Sequence, residues 1–140
     1  MTAKQFLLQA QGIDKQIKNK LKQIESLRSL AERATSTISP MPHSPAQNTR
    51  RMEGTIVKML DLENEINVSI DKLLDTKRKV VEVIDLLPKV EHRAVLEHRY
   101  ICGKTWEKIA SEMAYNERSV RRFHKKALCE IEKILGHDSK

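Results

Sequence analysis

Residues 105–128 read TWEKIASEMAYNERSVRRFHKKAL, and this stretch decides the fold of the C-terminal part of the chain. Trp106, Ile109, Ala110 and Met113 recur three and four apart, and so do Val120, Phe123, Ala127, Leu128 and Ile131. Each run therefore turns one apolar stripe to one side of a helix. About three residues separate the runs, with Tyr115 able to join the core from the turn. Thr105 and Asn116 each stand where a side-chain oxygen can accept from free amides at a helix start. Glu117, in the first turn of the second helix, suits the positive end of the helix dipole. Two short helices, over about 105–113 and 116–135, have the dimensions of a helix-turn-helix unit. The small Ala110 lets the two approach closely.

Upstream, LPKVEHRAVLEHRYI predicts another short helix, with Pro88 at its start, where a missing amide donor costs little. Gly103 can take the left-handed conformation that ends it. Tyr100 is expected in the core with its hydroxyl at the surface, Trp106 against the same helix, and Cys102 as a small buried residue at the helix end.

Earlier still the pattern changes to heptads. Ala10, Ile13, Ile17, Ile24, Leu27, Ala31 and Ala34 alternate at three- and four-residue steps, with Lys20, flanked by Leu21, interrupting the series once, which predicts one helix over about 3–34, roughly 45–50 Å long. Met52, Ile56, Met59, Ile66, Ile70, Leu73, Val80, Ile84 and Leu87 predict a second long helix, with Glu63 and Lys77 interrupting the seam. Between them TSTISPMPHSPAQNT carries three prolines and no formal charge, a linker over about 36–49. The expectation is an all-α chain: residues 1–86 form two long helices for self-association, and residues 87–140 form a helix-turn-helix domain. A hairpin within one chain and pairing between chains are both compatible with the seam; its narrowness favours self-association.

Composition agrees. Aromatic residues are 4% and glycine and proline number four each, against 32% charged residues, which argues for helix and against an all-β fold. The formal charge is +7, and residues 116–126 hold five basic groups against one acid. Such a distribution favours an acidic partner such as nucleic acid. Cys102 and Cys129 make no disulfide framework, and no leader or long apolar run is visible, so a soluble cytoplasmic protein without membrane contact is expected. His98 and Cys102 lie four apart, with His92, His124, Cys129 and His137 elsewhere, but no paired metal-ligand motif accompanies them. No phosphate-binding glycine loop or nucleophile motif occurs either. Neither an enzyme nor a cofactor or metal protein is expected.

The segment LPKVEHRAVLEHRYICGKTWEKIASEMAYNERSVRRFHKKALCEI resembles the fourth, promoter-reading region of bacterial sigma factors, and phage transcriptional regulators of the ArpU and RinA type that carry a related domain. The resemblance rests on Leu87-Pro88, Leu96, Arg99-Tyr100, Trp106, Ile109-Ala110, Val120 and Ala127-Leu128 at fixed spacing. Two positions depart from the pattern. Ala114 stands where glycine is usual, and His124 where an apolar residue is usual, so Phe123 is expected to take over that core role through a small rotation of the helix. The N-terminal two thirds do not resemble the promoter-melting part of a sigma factor, which suits a phage regulator better than a complete sigma factor.

Such a domain would place the helix beginning at Asn116 in a major groove. Glu117, Arg118, Arg121 and Arg122 are then the base-reading candidates, since guanidinium groups pair with guanine in two places and a carboxylate accepts from cytosine. Lys104, Lys108, Ser119, Lys125 and Lys126 are the phosphate candidates. The expected function is a phage or prophage regulator that binds double-stranded DNA as a homo-oligomer, with host RNA polymerase as a partner implied by the resemblance. A small terminase subunit that binds DNA for packaging, and an adaptor that docks protein through a region-four-like domain, remain open.

Overall fold

The computed structural model describes residues 1–36 and 45–138, and among these every regular element is helical. In chain order they are α1 (Ala3–Leu8), α2 (Ile13–Ser36), α3 (Pro45–Asp85), α4 (Val90–Leu96), the π-helical turn Glu97–Ile101, α5 (Trp106–Met113) and α6 (Glu117–Asp138). Pro45 stands first in α3, where its fixed φ fits and its missing donor is not needed. Most of the linker expected over about 36–49 lies outside the described residues, while 45–49 are helical.

Two compact units divide the chain: residues 15–72, and residues 1–14 together with 73–140. This differs from the division at 86 expected from sequence. The end of α3 and the N-terminal residues carry apolar side chains that belong to the C-terminal core. Leu7, Val80, Ile84 and Leu87 are buried with Val95, Leu96, Tyr100, Ile109, Val120, Ala127 and Ile131 in one cluster. Met113, Trp106, Phe123 and Leu128 are partly buried against it.

The single helix expected over 3–34 is corrected to two. Thr2 and Gln5 close a capping box on α1, and the chain turns at Gln9–Gly12 through bonds such as Ile13 N to Ala10 O at 3.3 Å. Gly12 has φ of +80°, a conformation that glycine adopts without a Cβ clash. Ala3, Leu7 and Ala10 turn into the core, and the Ala3 amide donates to Glu132 Oε1 at 2.6 Å, tying α1 to α6. A heptad count cannot register this break, because Ala10 and Ile13 keep the same step on both sides of it.

In the unit spanning 15–72, α2 and α3 pair antiparallel within one chain. Ile24 packs with Ile66 and Ile70, with Ile17 and Leu27 around them, and Arg28 donates to Glu63 Oε1 at 2.7 Å. Glu63, which interrupts the apolar seam in sequence, is thus the acceptor of a cross-helix ion pair. Leu21, Leu30, Val57, Leu60, Leu62 and Val68 stay exposed on this hairpin.

Candidate nucleic-acid interface

The turn between α5 and α6 is short and left-handed. Ala114 has φ 61° and ψ 37°, ends α5 with its amide bonded to the last carbonyls, and hands the chain to Asn116. Thr105 Oγ1 accepts from the Lys108 amide at 3.3 Å, and Asn116 Oδ1 accepts from the Ser119 amide at 2.8 Å. Both helix starts are therefore capped as the sequence predicts. Tyr115 differs from expectation: it is exposed at the turn, with its ring edge-on to Phe123 at 4.9 Å between centroids.

Val120, Ala127 and Ile131 anchor α6 in the core. At about 100° per residue, Arg118, Arg121, Arg122 and Lys125 then fall within roughly one quadrant on the opposite side. Glu117, Arg118, Arg121, Arg122, Lys125 and Lys126 are all exposed, as is Lys108 on α5. Ser119 is half-buried, its amide already used by the Asn116 cap. Lys104 is also half-buried: its ammonium donates to Glu112 Oε2 and lies 2.9 Å from His98 Nδ1. The Lys104 hydrogen bond holds the Glu112 carboxyl below its ordinary range, and nearby charges from Lys104, His98 and Lys108 act in the same direction. Seven of the nine candidates thus form a solvent-facing set, whereas Lys104 is engaged within the chain.

Behind this face lies a cluster that sequence reasoning did not assemble. The π-helical turn Glu97–Ile101 is widened by the Cys102 amide bonding to Glu97 O at 3.0 Å, and from it Arg99 donates to Lys104 O at 2.9 Å. The guanidinium carbons of Arg99 and Arg121 lie 4.6 Å and 5.2 Å from the centroid of the Trp106 ring. Trp106 is half-buried and also meets His124 edge-on at 4.8 Å. His124 stacks on Tyr100, whose hydroxyl lies 2.7 Å from Nε2. Burial, followed by the charges of Lys4, Arg99 and Arg121, pushes the His124 pKa down to about 4.

Four expectations are corrected here. His124 holds its own inward position rather than ceding it to Phe123; Phe123 packs on the other flank of α6 near His92 and Tyr115. The Tyr100 hydroxyl is not at the surface, since the residue is 3% exposed and bonded to His124. Cys102 is exposed rather than buried, and Pro88 precedes α4, whose N-cap is Lys89. The spacing of Arg99, Trp106 and Arg121 gave no signal of their meeting, because it depends on the π turn.

Buried His92 faces Glu130 Oε1 at 2.7 Å and fixes α4 to α6. Among the described residues no group of three or more His, Cys, Asp or Glu side chains is arranged to hold a metal. Among them, too, no helix is long and apolar enough to cross a membrane. No family model matches the chain, and no curated protein or solved structure is significantly similar to it.

Proposed function

We propose that this chain is a non-enzymatic, cytoplasmic regulator of phage type that binds duplex DNA through a helix-turn-helix formed by α5 and α6. The observation that carries the reading is the exposed stripe of Arg118, Arg121, Arg122 and Lys125 on the first half of α6, directly after a three-residue turn. A helix presented by its N-terminal half, with guanidinium groups outward, has the shape and charge that enter a major groove. Arg118 and Arg122 then read base edges, Glu117 sets the choice at one position, and Lys108, Lys125 and Lys126 contact phosphates. Arg121 divides its role between the groove and Trp106. The exposed leucines and valines of the α2–α3 hairpin support self-association, which would bring two reading helices to two half-sites.

The test is fluorescence anisotropy with a mixed-sequence duplex across a salt series, comparing the native chain with an Arg118→Ala/Arg122→Ala/Lys125→Ala variant. Steep salt dependence, with a slope shallower by about two to three in the variant, is expected. Equal binding by both proteins, or none by either, would overturn the reading in favour of a protein-docking role.

A further inference from the structure

The cluster behind the basic face encloses a pocket of about 340 Å³, walled by α1, the π turn, α5 and α6. Its polar groups are Lys4 from α1, Gln11 from the turn that follows it, Arg99 from the π turn, Arg121 from α6, and the hydrogen-bonded Tyr100 and His124. Trp106 supplies one apolar wall and Leu8, 42% exposed, another. Among the described residues no Asp or Glu lines it.

Three cations brought to one concavity repel one another, and in a partly desolvated site that repulsion is larger than on an open surface. Among the described residues no ion pair to Lys4, Arg99 or Arg121 relieves it. Glu112, on the same helix as Trp106, is paired with Lys104 instead. Arg99 spends one donor on a backbone carbonyl, and Arg121 rests on the Trp106 ring, so both forks keep donors for a ligand. Burial first, and then the field of the same three cations, opposes a charge on His124 and leaves a neutral ring on the wall of the pocket. Charge and donors therefore converge on a space of small-molecule size, with a flat aromatic wall beside them.

We propose that this pocket binds a small phosphate-bearing anion, clamped by Lys4, Arg99 and Arg121 beside Trp106. Bidentate donors suit a phosphate better than a halide, and the apolar walls accept a compact organic body attached to it. The inference does not depend on DNA binding. A ligand here would hold Arg121 inward and tie α1 to α6, so occupancy would also report on the availability of one groove-facing arginine.

Trp106 is the sole tryptophan of the chain, so its fluorescence reads this pocket alone. The full chain, without DNA, is titrated with inorganic phosphate and with ribose 5-phosphate, against chloride at matched ionic strength. Saturable change with the phosphates and not with chloride is expected. Lys4→Gln should weaken the apparent affinity by about tenfold, and Arg121→Gln by at least as much. Both residues are exposed and neither makes a hydrogen bond that the fold requires, so circular dichroism should be unchanged in both variants. An unsaturable response, a response equal in chloride, or native affinity in both variants would overturn the proposal. So would a Trp106 signal that moves only with duplex DNA, because the pocket would then be a groove-side contact and not a small-molecule site.

Discussion

The Tyr100 hydroxyl lies 2.7 Å from Nε2 of His124, and the two rings stack at 5.7 Å, so a neutral pair of polar groups is packed where α6 meets the π turn. Burial raises the Tyr100 pKa, with Arg99 partly opposing, while burial and three cations lower that of His124 from 6.5 to about 4. The native chain thus binds the His124 proton less readily than the unfolded chain. Stability from this pair is fully present above pH 6.5 and is lost progressively as pH falls towards 4. A shift of that size corresponds to at most roughly 3 kcal/mol. Solvent screening of the half-buried ring reduces this to about 1–2 kcal/mol. Urea melts at neutral and acidic pH should show the loss in the native protein. His124→Gln, which keeps a hydrogen-bonding group without a titrating one, should flatten that part of the profile, and an unchanged profile would remove His124 as its source.

Ala114 carries the turn in a conformation that costs a residue with a Cβ about 1–2 kcal/mol. The turn keeps this left-handed geometry although glycine is absent. Ala114→Gly should therefore stabilise the chain by about 0.5–1 kcal/mol, after allowing for the larger backbone freedom of glycine when unfolded. Thermal or urea denaturation measures it. A destabilised variant would mean that the turn relaxes in solution to a conformation that suits alanine.

The contrast between these two sites shows what a sequence makes legible. Periodicity located α5, α6 and the long pairing helices, because burying one stripe per helix is a local rule, and Thr105 and Asn116 announced their caps by chemistry. Ala10 and Ile13 instead preserved the heptad step across Gly12, hiding the break that sends Leu7 into the C-terminal core. His124 was legible only as an exception: its acceptance inside depends on Tyr100, 24 residues away, supplying a hydrogen bond. Likewise the cationic pocket needs Lys4, Arg99 and Arg121, which no single helical period links.

The Lys104–Glu112 pair keeps one cation of the α5 region engaged within the chain. Glu112 stands on α5, and while it is ionised it occupies the Lys104 ammonium. Glu112→Gln removes that charge and frees Lys104 to join Lys108 at phosphate. Under the proposed DNA-binding role, non-specific affinity should rise and the salt slope should steepen by about one. Anisotropy on two unrelated duplexes checks both. A rise confined to one sequence would instead implicate base contact and contradict a phosphate role for Lys104.

The hairpin of α2 and α3 buries only part of its apolar surface in one chain. Ile24, Ile66 and Ile70 fill the seam, while Leu30 and Leu62 remain 48% and 45% exposed beside it, lining one shallow groove with Leu27 and Ile66. A second hairpin laid along such a groove would complete a four-helix arrangement, the usual way a two-helix unit covers its leucines. Leu30→Glu/Leu62→Glu places charge in that groove while leaving the seam and the Arg28–Glu63 bond untouched. Light scattering after size-exclusion chromatography should find the native chain as an oligomer and the variant as a monomer, a weakening of at least about 2 kcal/mol. Circular dichroism should show equal helix content in both, because the substituted positions are already half in water. If both chains elute at the same oligomeric mass, the exposed leucines do not carry the assembly, and the groove bounded by Leu60 and Ile56 on the other flank becomes the next place to put a charge. If the native chain is itself monomeric, a regulator reading two half-sites would have to pair on the DNA, and binding to a two-site duplex would then be steep in protein concentration.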